Sequence, residues 1–170
     1  MGAFNSAVIT KKGQALLSKV VQGSTKISFT QIKISENVLK GDLTNLTNVG
    51  TVKQAEKVAS VSIQNNYNVK VSASFSNKDL TAGYYIRNIG LYAMDPTEGE
   101  ILYSISVADE STATADWMPP FNGIGVSSLM VDLVTAVSNA SSVNVEVDPV
   151  ALVTRAQLIA MYDRVVDEFT

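Results

Sequence analysis

Gly83-Tyr84-Tyr85-Ile86-Arg87-Asn88-Ile89-Gly90-Leu91-Tyr92-Ala93-Met94 decides how the chain folds. Its β-branched and aromatic residues read as a strand. The alternation is not uniform. Tyr84 and Ile86 share one parity, Ile89 and Leu91 the other, so the phase changes near Arg87-Asn88. A strand that changes phase requires a bulge or twist, and Gly90 is read as the source of backbone freedom. Asp95-Pro96-Thr97-Glu98-Gly99 makes a turn, and Glu100 to Val107 returns with Ile101, Tyr103, Ile105 and Val107 on one face. The pair is a β-hairpin, expected at the centre of the sheet.

Outward from that hairpin the chain alternates sheet signals with two helices. Lys11 to about Gly23 reads as a helix, with Thr10 as N-cap, Gly23 as stop and an apolar stripe of Leu16, Leu17, Val20 and Val21. Lys26 to Ser35 is a strand whose phase shifts between Phe29 and Ile32. Glu36 to Gly50 reads as an exposed loop, in which Leu39, Leu43 and Leu46 could hold one helical turn. Ala59–Ile63 and Val69–Phe75 alternate strictly around Asn65-Asn66-Tyr67-Asn68, a half-buried hairpin with a polar outer face. A third hairpin is expected from Leu129–Val137 and Val143–Val147.

Asp148-Pro149 ends the sheet, and Arg155 to about Glu168 reads as a helix with Thr154 and Gln157 forming a capping box. Ile159, Tyr162, Val166 and Phe169 make an apolar seam along it. Two uses fit that seam: three copies meeting along an axis, or packing on its own domain. The predicted fold is therefore α+β, an antiparallel β-rich sheet or sandwich with an N-terminal helix packed on it and a C-terminal helix. Residues 1–150 form the β-rich unit and 151–170 the helix.

Composition narrows the chemistry. The 170 residues contain neither His nor Cys, which removes the commonest general base, thiolate chemistry and the usual zinc ligands. The net charge is −3, with no basic cluster beyond Lys11-Lys12, so the footprint of nucleic-acid binding is missing. Ser (18), Thr (13) and Asn (12) supply the polar faces. No carboxylate pairing suggests glycosidase chemistry, and no Gly-rich phosphate loop, nucleophile elbow or calcium loop occurs. The reading is a non-enzyme with no cofactor and no metal.

Met1 to Ser6 has neither the basic start nor the apolar core of a signal peptide, although Met1-Gly2 with Ser6 formally matches a myristoylation pattern. No apolar run is long enough to span a bilayer. Asp109 to Gly125 is a long irregular stretch holding Trp117, Pro119-Pro120 and Phe121. Such a loop serves a partner, a sugar, or the packing of its own core.

Tyr85-Ile86-Arg87-Asn88-Ile89-Gly90-Leu91-Tyr92-Ala93, followed by Glu100-Ile101-Leu102-Tyr103, resembles the central motif of the N-terminal domain of phage tail-collar fibre proteins. These are side-fibre proteins of contractile-tailed phages and of phage-tail bacteriocins. The family motif usually reads R-E-I-G-L-[FY], and here Asn88 stands at the Glu position. Phe4 to Leu17 and the Phe29-Thr30 strand are also similar to the family, and the likeness extends to about Thr154.

The resemblance implies a structural virion protein, a tail fibre or fibre adaptor that joins the receptor-binding apparatus to the baseplate. It implies a homotrimer whose partners are baseplate proteins and a distal fibre or receptor-binding protein. It implies assembly in the bacterial cytoplasm into a virion tail or phage-tail-like particle. A chain of this length would hold mostly the attachment part, either of a longer fibre or of a short adaptor subunit. The alternative is a cell-surface carbohydrate-binding module with Trp117, Phe121 and Tyr67 as stacking rings. Arg87, in an apolar strand, is expected to be a structural residue that finds carboxylate or carbonyl partners.

Overall fold

The computed structural model describes residues 3–111, 113–137 and 143. In order these form β1 (Ala3–Phe4), β2 (Val8–Ile9), α1 (Lys11–Val21), β3 (Phe29–Ser35), a 3-10 turn (Leu43–Asn45), β4 (Val52–Lys57), β5 (Ser60–Ile63) and β6 (Asn68–Ser76). β7 (Tyr84–Tyr85), β8 (Asn88–Asp95), β9 (Gly99–Asp109), β10 (Trp117–Met118) and β11 (Ser128–Ala136) follow. The fold is α+β and dominated by antiparallel sheet.

A six-stranded sheet runs β1-β9-β8-β3-β4, with β2 also on β9, and a three-stranded sheet runs β11-β6-β5. The β8–β9 hairpin is central, as expected. Between the sheets lies one apolar core. The larger sheet contributes Ile32, Ile34, Ile89, Leu91, Ile101 and Tyr103, and the smaller one Val61, Val71, Phe75 and Val131. Tyr103 crosses the core and donates its hydroxyl proton to the Ala136 carbonyl at 2.8 Å. Tyr84 does the same towards Gln54 of β4 at 2.6 Å, and Gln54 in turn donates to Ser76 of β6 at 2.8 Å. Burial pushes both phenols well above the ordinary tyrosine pKa.

α1 closes one side. The Thr10 hydroxyl accepts from Gly13 N–H at 3.0 Å and donates to the Leu102 carbonyl, so the helix cap is also its anchor on β9. Leu16 and Val20 are buried, whereas Val21, expected in the same stripe, is 70% exposed. It is the last helical residue and has rotated past the core. Gly23 takes the left-handed conformation after the helix, at φ 76. Near the helix end Lys19 reaches Asp95 at 2.8 Å, fastening α1 to the end of β8.

Several expectations need correction. The stretch 84–94 is not one bulged strand but two strands, broken at Ile86-Arg87, and β7 leaves the main sheet to pair with β10. Arg87 therefore stands at a break and not in mid-strand. The bulge lies further on, where Leu91 pairs with Ser104 and Tyr92 with Leu102, leaving Tyr103 without a counterpart. That extra residue reverses the parity of β9. Ile101 and Tyr103 face the inter-sheet core, while Ile105 and Val107 face the opposite side with Leu102. The phase shift read between Phe29 and Ile32 is real, with the register slipping between Phe29 and Gln31.

Nor is 36–50 simply an exposed loop. Leu39, Leu43, Leu46 and Val49 fold back over Tyr92, Leu102 and Ile105 as a second, smaller apolar cluster. Gly90 lies beneath it. A Cβ there would stand 2.3 Å from Val49 Cγ1 and 2.9 Å from Leu102 Cδ1. The glycine thus provides room for a covering segment, not backbone freedom. β4 has no counterpart in the sequence reading. Most of its side chains are exposed, and it forms the sheet edge through backbone pairing with β3.

The partner of β11 is β6, with a nine-residue ladder from Ser128↔Ser76 to Ala136↔Asn68. Of its expected partner strand only Val143 is described, and Val143 bridges Ile27 in parallel. The rest of that strand lies outside the described residues. So does the C-terminal helix with Ile159, Tyr162, Val166 and Phe169.

Candidate functional site

Where the chain breaks between β7 and β8, two separately expected features meet on one surface. β7 and β10 pair antiparallel, Tyr85 opposite Trp117 and Tyr84 opposite Met118. Strand alternation then sorts the four side chains. Tyr84 and Met118 are buried at 1% and 3% exposure, whereas Trp117 is 50% exposed with Tyr85 at its side. The Tyr85 and Trp117 rings meet at 4.8 Å between centroids and 60° between planes, the edge arrangement favoured by aromatic quadrupoles. The indole needs Gly83 beneath it, for a Cβ there would lie 2.4 Å from Trp117 Cζ2.

Arg87 extends this stack. Its guanidinium carbon lies 4.9 Å from the Tyr85 ring centre, within cation–π range. Nε donates to Glu110 Oε2 at 3.3 Å and Nη1 to the Glu36 carbonyl at 3.4 Å, the carboxylate and carbonyl partners that the sequence led one to expect. Glu110 also accepts from Ala115 N–H at 3.2 Å, and Glu36 accepts from Tyr85 N–H at 2.5 Å. The Glu110 carboxylate therefore holds both Arg87 and the backbone, while Glu36 takes Arg87 on its carbonyl and Tyr85 on its carboxylate. Arg87 keeps 25% of its side chain exposed and Glu110 37%.

The Arg87 backbone is fixed from both sides. Its N–H donates to Ser35 at 3.2 Å, and its carbonyl accepts from Ala108 at 2.8 Å. Next to it Ile86 donates to the Asp116 carbonyl at 2.8 Å. Ile86 and Asp116 also line an apolar groove of about 430 Å³ with Phe4, Ile89, Leu129 and Leu133.

The remaining motif residues do other work. Asn88, Ile89, Gly90, Leu91 and Tyr92 are buried. Asn88 Nδ2 donates to Ser35 Oγ at 2.9 Å and to the Asn37 carbonyl at 2.6 Å, while its Oδ1 is buried without a hydrogen-bond partner. The Tyr92 hydroxyl accepts from Val49 N–H at 3.3 Å, and Lys33 lies 4.3 Å from its ring centre. Burial raises the Tyr92 pKa, with the Val49 N–H pulling the other way and Glu100 adding to the rise. Asn88 and Tyr92 therefore hold down the 36–50 cover.

Phe121, 38% exposed, is tied through its N–H to the Leu80 carbonyl at 3.0 Å and does not join the Tyr85–Trp117 stack. Tyr67 is 65% exposed in the β5–β6 turn, where its carbonyl accepts from Val137. Trp117 and Phe121 thus share one stretch of chain without stacking on each other, and Tyr67 lies on a different turn. Sequence reasoning missed Gly83, Tyr85, Glu36 and Glu110 as members of the site. A two-residue ladder carries no periodicity, so nothing in the sequence paired 84–85 with 117–118.

Among the described residues no group of three or more acidic side chains is placed to hold a metal ion, and no helix is long and apolar enough to cross a membrane. No family model, curated protein or solved structure matches the chain.

Proposed function

We propose that this protein is a structural component of a contractile phage tail or phage-tail-like particle, a fibre or fibre adaptor that joins the receptor-binding apparatus to the baseplate. The observation that carries the reading is the convergence of the fibre-like motif, through Arg87, with the Trp117 loop, through Tyr85. Trp, Tyr and Arg are the residues that dominate protein–protein hot spots, and here they sit on a rigid break between strands beside an apolar groove. The surface offers flat aromatic area and one oriented guanidinium, which suits docking and not turnover. On this reading the chain has no enzymatic activity, needs no cofactor, and works as a homotrimer docked to baseplate proteins and carrying a distal fibre.

The test is to purify contractile particles from the bacterium that encodes the chain and to locate the protein by immunogold electron microscopy. Gold at the baseplate is expected for the wild type. Trp117→Ala and Arg87→Glu chains that retain the sheet signal by circular dichroism should be lost from the particles. Wild-type protein missing from particles, or label along the sheath, would reject the proposal.

A second reading is favoured by the half-exposed indole beside Tyr85, an arrangement that also suits a sugar ring. Saturable binding on a glycan array, abolished by Trp117→Ala, would favour a carbohydrate-binding module instead.

A further inference from the structure

We propose that Asn122 is a modification site, at which the side-chain amide closes on the backbone nitrogen of Gly123 and is converted to aspartate or isoaspartate. This is independent of what the protein docks to. Asn122-Gly123 is the one Asn-Gly pair among the twelve asparagines of the chain. In the reaction the Gly123 nitrogen forms a bond to Asn122 Cγ. The Cγ–Nδ2 bond breaks, and ammonia leaves with the proton given up by the Gly123 nitrogen. Water then adds across either carbonyl of the resulting succinimide. One water is consumed and one ammonia released.

The loop is arranged for the first step. Asn122 Oδ1 accepts from Ile124 N–H at 2.9 Å and from Gly125 N–H at 3.1 Å. Charge moves onto that oxygen as the nitrogen attacks, so two donors already point at the developing oxyanion. Gly123 stands at φ 85 and, as glycine, brings no side chain to crowd the attack, with nothing within 4 Å of the place a Cβ would occupy. Residues 121–128 are exposed, which admits water. The loop base is nevertheless held: Asn77 Nδ2 donates to the Pro119 carbonyl at 3.1 Å, and Asn77 Oδ1 accepts from Ser127 N–H at 2.8 Å.

The chain carries its own control. Asn65 Oδ1 likewise accepts from two backbone N–H groups, those of Tyr67 at 2.8 Å and Asn68 at 2.9 Å. The residue after it is Asn66, whose side chain crowds the attacking nitrogen. Conversion at Asn122 places a new negative charge beside Ile124 and Val126, which are 93% and 53% exposed.

The experiment is peptide mapping by mass spectrometry of the full chain held in mildly alkaline buffer, folded and in parallel unfolded in urea. Asn122 should convert at least about tenfold faster than Asn65, a barrier difference of about 1.4 kcal/mol. It should convert no more slowly in the folded chain than in urea, and both aspartate and isoaspartate should form. Equal rates at the two asparagines would overturn the proposal, as would slower conversion in the folded chain. Aspartate without isoaspartate would mean direct hydrolysis, and the succinimide route would fail.

Discussion

Gly13 lies hard against the backbone of Tyr103: a Cβ on it would stand 2.3 Å from that carbonyl oxygen. Replacing an exposed helical glycine with alanine ordinarily stabilises by about 0.5–1 kcal/mol. Here the sign should reverse. Gly13→Ala must push α1 away from β9 and disturb the Thr10 anchor, at a cost of about 1–3 kcal/mol. Urea denaturation reads this directly. A raised midpoint would mean that the helix stands off the sheet.

Asn88 is suited to its place by its donors. Its Nδ2 serves the Asn37 carbonyl and Ser35 Oγ, and Ser35 already gives its own proton to the Val49 carbonyl. A carboxylate there would offer only acceptors to acceptors. Asn88→Asp should therefore cost about 3–5 kcal/mol at neutral pH, the range for a buried charge without a partner. The loss should shrink in acid, where a protonated carboxyl can donate again. An unchanged thermal midpoint at neutral pH would show that the site admits water.

Arg87→Ala should cost less than the roughly 3–5 kcal/mol of breaking a fully buried ion pair. The Arg87–Glu110 pair is partly open to solvent on both sides. Exposed ion pairs contribute about 0.2–1 kcal/mol and a cation–π contact at such a site about 0.5–1. A double-mutant cycle of Arg87→Ala with Glu110→Ala should give a coupling energy of about 1 kcal/mol or less. A coupling well above that would place the pair in a drier setting than the geometry gives it.

Asp95 ties acid stability to one ion pair. Burial opposes its ionisation, but Lys19 and the N–H groups of Thr97 and Glu98 outweigh this and hold its pKa below the ordinary carboxylate value. A depressed folded-state pKa contributes stability that is complete above the unfolded value, near about 4, and is lost as pH falls through the folded value. Lys19→Met should cost about 1–3 kcal/mol at neutral pH, as for a hydrogen bond to a charged group. The gap to wild type should narrow only in the acid range. A gap that persists unchanged in acid would detach Asp95 from the effect.

What was legible in the sequence is whatever local chemistry decides. Thr10 and Gly23 bound the helix because capping is a property of single residues, and the Phe29–Ile32 parity slip announces its own bulge. The central hairpin was legible from its turn. The unread parts depend on distant partners. β4 pairs by backbone alone and exposes most of its side chains, so no alternation marks it. The bulge at Tyr103 is defined against Leu91 and Tyr92 on another strand, which is why Ile105 and Val107 were assigned to the wrong face. Leu39, Leu43 and Leu46 gave the helical turn, but not that Gly90 leaves space for them below. At the candidate site the sequence singled out Arg87 and Trp117 separately. Tyr85, which joins them, was visible only once β7 left the main sheet.

Trp117 is the sole tryptophan of the chain, and it stands over Gly83 and against Tyr85. The protein therefore carries an intrinsic optical probe at the one surface where it is needed. Indole emission arises from nowhere else, so a shift in its wavelength or quenching reports on that surface without any label.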